Sequence, residues 1–599
     1  MDAKGKDCAP ELTVERFEQI LSDLGIRFRE SALHVVDGAY SLVLEDPRHG
    51  WHVNGKGTDE KYCRASAFGE AMERLQTRFA YDYADLSPEA RTAMGFICAP
   101  DEEMRPAESI REAELLWAEF RRLRGSEPEE EDLPFFRELT GMEETPFVPY
   151  YSVREGKTVM LPEILITLLA GTNGMAAGNT CAEAMCQALC EIAERYVKYV
   201  TLRDGLTPPD LPGETLSAEV AELKRQIEER SGMRLFLRDM SLGRGFPVVG
   251  LLAVDEQRQR YRAKYGSHPR FSVAAERCLT ELMQGSDPGD PEMKELMTVP
   301  WTGGETAWNN SKNLVTAFRM DIAQLPDSFL AGEPSWAFVP WDKGTGENNE
   351  EFLAQLIHLF LREAPDIYIR NYGFLGVPAF RIYIPGMSML PRALTHRLKD
   401  MYHLQQLMDE VGRRPLTGEE AMDLLDALED PDTAIGGWEQ RLEQKWSLPA
   451  VRGLMHYMRG EDGEAQRLLA EAGTARELCM ARWLELEKRG MTPERRDALL
   501  ERLFGTETAR PALAVMKDRG NALGRWQDPA GLLAMLWEQN TPRRAAKKQA
   551  RREAVDTLHL KIKEKMISGM PEQRPEAWLQ NPAALAGNGQ TKRTETFHG

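Results

Sequence analysis

Three segments of the chain carry glutamates at spacings that place them on one face of a helix. The first is GNTCAEAMCQALCEIAERYVK, from Gly178 to Lys198. It has no glycine or proline after its first residue, so it predicts one helix that begins at the Gly-Asn-Thr turn. At about 100° per residue, its polar side chains share a sector of about 80°. These side chains are Glu183, Gln187, Glu191 and Glu194, with Arg195 at the edge.

The same pattern occurs earlier in the chain, in GKGTDEKYCRASAFGEAMERLQTRF from Gly55 to Phe79. Five positions of this repeat align with the later segment: Gly57 with Gly178, Ser66 with Gln187, Glu70 with Glu191, Glu73 with Glu194 and Arg74 with Arg195. A third segment, AAERCLTELMQG, places Arg277, Glu281 and Gln284 at the same helical spacing. The repetition indicates that the three acidic faces serve the same function.

Facing one another, such helices would form an anionic cage suited to Mg²⁺, which prefers oxygen ligands. The glycine turns and helix N-termini would offer backbone N–H groups to phosphate, and Arg195 and Arg277 would add positive charge. The sequence therefore predicts a nucleotide held through several Mg²⁺ ions. The alternative interpretation of each acidic face is a solvated helix surface.

Strand-like runs must position these helices. They lie around residues 32–44 and 51–54, before the first glutamate helix, and in RYRAKYGSHPRF before the third. Strands and helices alternate to about residue 390, which predicts an α/β or α+β domain. His268 precedes the third helix, where a structural role is more typical than that of a general base.

The N-terminal region predicts a helix over residues 11–24, and Gly5-Lys6-Asp7 ahead of it is typical of a frayed tail. Lys56 lies in NGKGT, which lacks the P-loop spacing, so nucleotide binding of the Walker type is excluded.

Beyond residue 400 the strand-like runs end and amphipathic helices follow. They are predicted over residues 397–411, 417–429, 436–446, 448–459, 463–472 and 475–489, without a strict tetratricopeptide period. Such modules bind proteins or dimerise, and we expect a homodimer. We therefore expect domains at 1–395 and 396–568, with a disordered tail at 569–599.

One basic stretch departs from the acidic background, and its Lys and Arg residues share about half of a helix. These residues are Arg543, Arg544, Lys547, Lys548, Arg551 and Arg552. A solvated basic helix is the simpler interpretation, and contact with RNA or an acidic partner is the alternative.

The overall composition excludes several classes of protein. The 599 residues carry a net charge of −20, which disfavours generic binding to nucleic acid or acidic membranes. The eight cysteines include no zinc-type spacing, and Cys186 and Cys190 are expected to be reduced core residues. The charged N-terminus and the short apolar runs predict a cytoplasmic protein that does not span a membrane.

The motifs SAFGEAMER (66–74), AGNTCAEAMCQALCEIAER (177–195) and AERCLTELMQG (275–285) resemble the YcaO family. The resemblance runs nearly end to end and includes the N-terminal GKD, the SHP before the third helix, YIPGMS at 383–388 and a helical C-terminal extension. The stand-alone bacterial members are the most similar. The resemblance implies an ATP-binding fold without a P-loop, containing an internal β/α repeat and followed by an all-α, TPR-like domain.

Carried over by motif position, the resemblance implies a set of ligands for Mg²⁺ and a set for the nucleotide. The implied Mg²⁺ ligands are Glu73, Glu191, Glu194 and Glu281. The implied nucleotide contacts are Lys6, Thr13, Glu70, Asn179, Glu183, Arg195 and Arg277. Thr13 stands where the family pattern has a serine, and the hydroxyl is retained.

The family resemblance also implies chemistry in which ATP activates an amide carbonyl by phosphorylation. The chain ends in TKRTETFHG, without the Pro-rich C-terminus of azoline-forming members, and it has no recognisable leader-peptide-binding domain. Three functions stay open: an ATP-hydrolysing, amide-activating enzyme, an ATP-binding scaffold that recruits a modification enzyme, and a metal-dependent hydrolase. The resemblance further implies an accessory role in β-methylthiolation of a ribosomal small-subunit protein, with a methylthiotransferase or that ribosomal protein as partner.

Overall fold

The computed structural model describes residues 2, 4–78, 86–124, 130, 132–283, 289, 298–300, 313–314, 317–318, 323–326, 328–329, 332–341, 346–389, 420, 448–522 and 551–579. Two compact units divide the chain. The first is Met1–Arg392 with Arg551–Gly599, and the second is Ala393–Ala550. The second unit is therefore an insertion in the chain of the first, and the expected boundary at residue 568 differs from the observed one.

Thirteen strands lie in the described residues, all in the first unit. They are β1 (Arg29–Val36), β2 (Ala39–Asp46), β3 (Trp51–Gly57), β4 (Glu103–Pro106), β5 (Glu144–Ser152), β6 (Lys157–Pro162), β7 (Met175–Ala177), β8 (Arg234–Asp239), β9 (Val248–Asp255), β10 (Arg260–Ser267), β11 (Val299–Pro300), β12 (Tyr368–Asn371) and β13 (Ala379–Tyr383).

The strands form three sheets with the orders β1-β2-β3, β11-β10-β9-β8 and β4-β5-β12-β13-β7, and β6 pairs with β5 in the third sheet. Every recorded pairing between these strands is antiparallel. Short hairpins explain this order, since β1-β2-β3 and β8-β9-β10 each follow one another in the chain. The α+β class expected from the sequence is confirmed.

Helices occupy both units. Those of the first unit are α1 (Pro10–Leu24), α2 (Glu60–Gln76), α3 (Pro88–Met94), α4 (Glu114–Arg124), α5 (Asp132–Thr140), α6 (Glu163–Ala170), α7 (Cys181–Asp204), α8 (Ala218–Ser231), α9 (Phe271–Leu282) and α10 (Asn349–Glu363). Those of the second unit are α11 (Leu448–Met458), α12 (Asp462–Ala472), α13 (Ala475–Lys488), α14 (Pro493–Phe504) and α15 (Thr506–Lys517). Residues 551–569 form a further helix, α16, which belongs to the first unit.

The second unit is helical throughout residues 448–517, apart from its turns. The helices expected at 448–459, 463–472 and 475–489 are α11, α12 and α13. The helices expected at 397–411, 417–429 and 436–446 fall outside the described residues except for position 420, and so does the basic stretch up to residue 550. In the described residues, no helix combines the length and the apolar character that crossing a bilayer requires.

One local arrangement occurs three times in the first unit: a glycine lies at the end of a strand or within one residue of it, and the next helix packs closely against that glycine. A Cβ added to Gly57 would lie 2.5 Å from the backbone N of Cys63 in α2. One added to Gly178 would lie 2.9 Å from that of Ala184 in α7, and one added to Gly266 2.5 Å from that of Cys278 in α9. Only glycine permits these approaches, which turn the same face of α2, α7 and α9 inward.

The C-terminal residues pack on the first unit, although the sequence predicts disorder from residue 569. The Gln573 side chain accepts a hydrogen bond from the backbone N of Asn371 at 2.9 Å and donates one to its carbonyl at 3.0 Å. It thereby pairs with the end of β12 as a neighbouring strand would. Trp578 lies edge-on to Phe380, with ring centroids 5.5 Å apart. Residues 580–599 lie outside the described part of the chain.

Candidate nucleotide site

The three strand–helix arrangements surround one cavity of about 390 Å³. It is lined from α2, α7 and α9, from the ends of β3 and β10, and from residues near the N-terminus. All eleven positions that the family resemblance implies line this cavity: Lys6, Thr13, Glu70, Glu73, Asn179, Glu183, Glu191, Glu194, Arg195, Arg277 and Glu281. The structure therefore brings together residues that lie up to 275 positions apart in the chain.

The carboxylates of α2 and α7 lie close enough to influence one another. The Glu73 side chain is only 15% exposed. Burial raises the pKa of Glu73 well above its ordinary value, and the charges of Glu191 and Glu70 raise this pKa further, against the lowering effect of Arg74. A cluster of like charges in a half-buried site favours the binding of cations. The solvated-surface interpretation of these stripes therefore does not describe the structure.

Arginines on the same helices partly neutralise these carboxylates. Arg74 Nη1 lies 2.9 Å from Glu73 Oε1, and its Nη2 lies 3.5 Å from Glu70 Oε1. On α7, Arg195 Nε and Nη2 lie 3.0 and 2.9 Å from Glu191 Oε1. The equivalence of Arg74 and Arg195 in the sequence repeat thus extends to their contacts.

The third helix contributes an acidic and a basic group. Glu281 forms an ion pair with Lys56 of β3 and lies 3.9 Å from Lys264 Nζ of β10. Arg277 donates from Nη1 to the carbonyl of Ser267 at 2.9 Å, which fixes its guanidinium beside the end of β10. Gln284, the third member of this predicted stripe, lies outside the described residues.

The N-terminal residues form part of the site, which corrects the expectation of a frayed tail. Lys6 Nζ donates to Glu183 Oε1 at 3.2 Å, and the backbone N of Asp7 donates to Glu183 Oε2 at 2.8 Å. The Gly5 carbonyl accepts a hydrogen bond from Asn349 Nδ2 at 3.1 Å. We call residues 4–8 the N-terminal strap, because long-range contacts rather than local propensity hold it in place.

A chain of hydrogen bonds joins α1 to the start of α7. Thr13 Oγ1 donates to Asn179 Oδ1 at 2.8 Å, and Asn179 Nδ2 lies 3.2 Å from both carboxylate oxygens of Glu183. Thr180 caps α7 by accepting from the backbone N of Glu183 at 3.1 Å, as the sequence predicts. These groups are thus oriented by one another before any ligand binds.

His268 has a structural place next to the strap. Its Nδ1 accepts a hydrogen bond from the backbone N of Arg270 at 2.9 Å. A Cβ added to Gly5, whose φ is +82°, would lie 2.5 Å from His268 Nε2. Burial lowers the pKa of His268 well below its ordinary value, and the charges of Arg277 and Lys6 add to the effect. The imidazole is therefore neutral and packs under the strap.

Four charged lining residues are absent from the set of ligands that the family resemblance implies: Lys4, Lys56, Arg74 and Glu276. Arg74 could have been found from its alignment with Arg195. Lys4 forms an ion pair with Glu276 through the strap, and Lys56 pairs with Glu281 across two elements. Neither ion pair can be predicted from a local sequence pattern, because each joins residues that lie far apart in the chain.

Cys186 and Cys190 of α7 are buried free thiols, in agreement with the expectation that they are core residues. Burial raises the pKa of Cys190 to about 11 and raises that of Cys186 well above its ordinary value. Both thiols are therefore protonated at neutral pH, and they are poor metal ligands and poor nucleophiles.

The residues present fit Mg²⁺ by their chemistry, because hard carboxylate oxygens line a cavity in which they repel one another. In the described residues, no three His, Cys, Asp or Glu side chains stand close enough together to hold a metal ion. The carboxylates are instead paired with Arg74, Arg195 and Lys56. To bind Mg²⁺, these glutamates would have to release their ion pairs with the arginine and lysine side chains and contact the metal instead.

The chain matches the family model described as YcaO cyclodehydratase, ATP- and Mg²⁺-binding, over residues 54–388. The ribosomal protein S12 methylthiotransferase accessory factor YcaO of Escherichia coli (strain K12) is 31% identical over 513 residues, which cover 82% of this chain and 84% of that protein. An uncharacterized protein of Haemophilus influenzae is 30% identical over 404 residues, covering 64% of this chain and 65% of that protein. The solved structure of YcaO from Methanopyrus kandleri, bound with AMPPCP and Mg²⁺, has a TM-score of 0.39 and 19% identity, covering 65% of this chain and 93% of that one.

Proposed function

The chain belongs to the YcaO family, whose members bind ATP and Mg²⁺, and from this membership we propose that it uses Mg-ATP to activate an amide carbonyl of a protein substrate. The observation that supports the proposal most directly is the convergence of acidic, basic and amide side chains from three equivalent helices on one cavity. A triphosphate with its metal ions needs both kinds of charge, and the cavity contains both.

We assign the acidic groups to the metal. Glu73, Glu191, Glu194 and Glu281 would hold Mg²⁺, because they line the cavity and carry the oxygen donors that this ion prefers. When bound, Mg-ATP would supply an electrophilic γ-phosphoryl group for transfer to a carbonyl oxygen.

We assign the basic and amide groups to the nucleotide. Lys6, Arg195 and Arg277 line the cavity and would neutralise negative charge on the phosphates. Thr13 of α1 would orient the nucleotide together with Asn179 and Glu183 at the start of α7, and these three residues already form one hydrogen-bonded chain. Glu70 would act beside them, since its carboxylate accepts from the backbone N of Asn54 at the edge of the cavity.

The second candidate is an ATP-binding scaffold that recruits a modification enzyme. The helical second unit favours it, because stacked helices commonly bind proteins. The name of the Escherichia coli relative, an accessory factor for a ribosomal protein S12 methylthiotransferase, suggests the class of partner. Homodimerisation belongs to the same proposal.

A metal-dependent hydrolase without nucleotide is a weaker explanation of the same cavity. Such an enzyme has little use for cations beside its metal ligands. Here Arg74 and Arg195 lie within 3.0 Å of the carboxylates of Glu73 and Glu191.

One experiment separates the enzyme from the scaffold. Purified protein is incubated with Mg-ATP and small-subunit ribosomal protein S12, with and without a methylthiotransferase, and both ATP turnover and the mass of the ribosomal protein are measured. Turnover and a mass change that both disappear in Glu191→Gln support the enzyme. A Glu191→Gln variant that fails to turn over ATP yet still supports full modification favours the scaffold.

A further inference from the structure

Behind the nucleotide cavity, α1, α2 and the start of β1 form a second concavity of about 730 Å³, which we call the outer groove. Its floor is apolar and is made by Val14, Leu21, Ile26, Phe28 and Phe68. Phe28 is partly exposed there, and its ring packs edge-on against Phe68 with centroids 6.1 Å apart. Val14, Leu21, Ile26 and Phe68 are at most 5% exposed, so Phe28 is the part of this floor that an apolar side chain of a partner can contact.

The rim of the outer groove is acidic. Five glutamates line it (Glu11, Glu15, Glu18, Glu30 and Glu60), against Arg27, Lys61 and Arg64. Lys61 pairs with Glu11, and Arg64 forms a two-point pair with Glu30 at 2.8 and 3.1 Å.

The other three rim glutamates form no ion pair or side-chain hydrogen bond within the described part of the chain. Two of them, Glu15 and Glu18, lie on one exposed face of α1. Glu18 and Glu60 also lie close enough to Arg64 for their charges to act on its guanidinium, but five carboxylates against three cations still leave the rim with a net formal charge of −2.

We propose that the outer groove binds a Lys/Arg-rich polypeptide segment that carries apolar anchoring side chains. The acidic rim selects basic partners and speeds their association, and the apolar floor holds the anchors. This inference rests on the proposed function, since it supplies that function with the site at which a basic protein partner docks.

The position of the outer groove suits such a role. Helix α1 turns Pro10, Thr13 and Phe17 toward the nucleotide cavity and turns Glu15 and Glu18 toward the groove. A segment docked in the groove would therefore lie one helix diameter, about 10 Å, from the cavity. The groove would hold a protein partner close to the nucleotide while leaving the cavity open.

The test uses the full-length chain and two probes. One is a fluorescent 16-residue peptide with lysine and leucine at helical spacing, and the other is purified ribosomal protein S12. Glu15→Lys combined with Glu18→Lys should raise the dissociation constant of both probes about tenfold at low salt.

The matched control is Glu553→Lys combined with Glu564→Lys, two exposed positions of α16, which changes the net charge equally. It should change either dissociation constant by less than about twofold. Ser22→Trp, at an exposed position of the groove, obstructs it without altering charge and should weaken binding as the rim variant does. Unchanged Mg-ATP affinity in each variant verifies that the fold is intact.

The outcomes are distinct. The proposal that the groove binds the peptide would be overturned if the wild type, the Glu15→Lys/Glu18→Lys variant and Ser22→Trp bound the peptide with equal affinity. It would also be overturned if the Glu15→Lys/Glu18→Lys variant and the control variant weakened peptide binding equally. If the groove variants weakened binding of the peptide but not of ribosomal protein S12, the groove would be supported as a binding site for basic segments. The same result would contradict ribosomal protein S12 as the partner that docks there.

Discussion

Lys6 Nζ lies 3.2 Å from Glu183 Oε1, although 177 positions separate the two residues in the chain. This pair fastens the N-terminal strap to the first turn of α7. The start of the chain therefore lines the candidate nucleotide cavity. Any ligand of the cavity therefore meets a lysine whose position depends on contacts made across the whole first unit.

Removal of the Lys6 charge should weaken nucleotide binding. A hydrogen bond to a charged group contributes about 1.5–3 kcal/mol, so Lys6→Met should lower the affinity for Mg-ATP about 10- to 150-fold. Calorimetric titration with a non-hydrolysable ATP analogue measures the change. Lys157→Met, at a side chain that is 64% exposed, is the control. Equal affinities in the two variants would show that the strap does not contact the nucleotide.

Neutralising Glu73 should abolish nucleotide-dependent stabilisation and leave the unliganded fold intact. The carboxylate is half-buried among like charges, so Glu73→Gln removes repulsion, and the unliganded Tm should stay equal or rise. Wild-type protein at a ligand concentration 100 times Kd should gain about 2.7 kcal/mol of stability, and the variant none. Thermal unfolding with and without Mg-ATP gives both numbers. Exposed Glu89→Gln serves as control, and a wild-type shift in Glu73→Gln would contradict the metal assignment.

A methyl group at the end of β3 should separate that strand from α2. The added Cβ of Gly57→Ala would meet the backbone of α2 at 2.5 Å, so the expected cost is about 1–3 kcal/mol of unfolding free energy. Urea unfolding measures it. Gly69→Ala, in the middle of α2 where an added Cβ meets nothing within 4 Å, should instead stabilise by about 0.5–1 kcal/mol. Similar stabilities for the two variants would exclude close strand–helix packing as the function of Gly57.

His268 should make stability depend on pH in the acid range. Its pKa is lowered in the folded protein by burial and by the charges of Arg277 and Lys6, so the unfolded chain takes up the proton first. The contribution of the neutral ring is complete above about pH 6.5 and is lost as pH falls below that value, by at most about 1.4 kcal/mol per pH unit. The stability difference between wild type and His268→Gln, measured by urea unfolding, should therefore decrease between pH 7.5 and pH 5.5. A difference that does not change with pH would indicate an exposed imidazole, and one that increases as pH falls would indicate a ring that is charged in the folded protein.

Loss of the Gln573 side chain should destabilise the first unit. Gln573→Ala removes two hydrogen bonds to the backbone of Asn371 and leaves buried polar groups without partners, at about 1–3 kcal/mol. Glu576→Ala, at an exposed neighbour, should change stability by less than about 0.5 kcal/mol. Hydrogen exchange at the Asn371 amide reports the same contact directly. Unchanged protection there in Gln573→Ala would show that this pairing does not form in solution.

The parts of the cavity that depend on local pattern could be predicted from the sequence. Helical spacing placed Glu70, Glu73, Glu191 and Glu194 on common faces, and the repeat with its glycines indicated that those faces meet. The helical spacing is visible in the sequence because one side of each helix packs in the core and is apolar. The opposite sides converge on the cavity and are polar.

The parts that depend on long-range contacts could not be predicted in this way. The strap has no periodicity, and Asn349 and Glu183 order it from far along the chain. The C-terminal segment is rich in proline and polar residues, yet Trp578 is buried and Gln573 pairs with a strand. Composition alone predicts disorder for both segments, because it shows that a segment has few apolar residues of its own. It does not show which distant residues will contact that segment in the folded chain.

The insertion of the second unit has a consequence for biosynthesis. Four residues of α16, Val555, Leu558, Ile562 and Met566, belong to the core that also contains the strands of the first sheet. The ribosome makes them only after all of residues 393–550. At about 5–20 residues per second, the nascent first unit waits roughly ten to thirty seconds with that apolar surface uncovered. We expect chaperones that bind exposed hydrophobic patches to act on the nascent chain during this interval. A chain terminated within residues 393–550 lacks α16 and cannot complete its first unit.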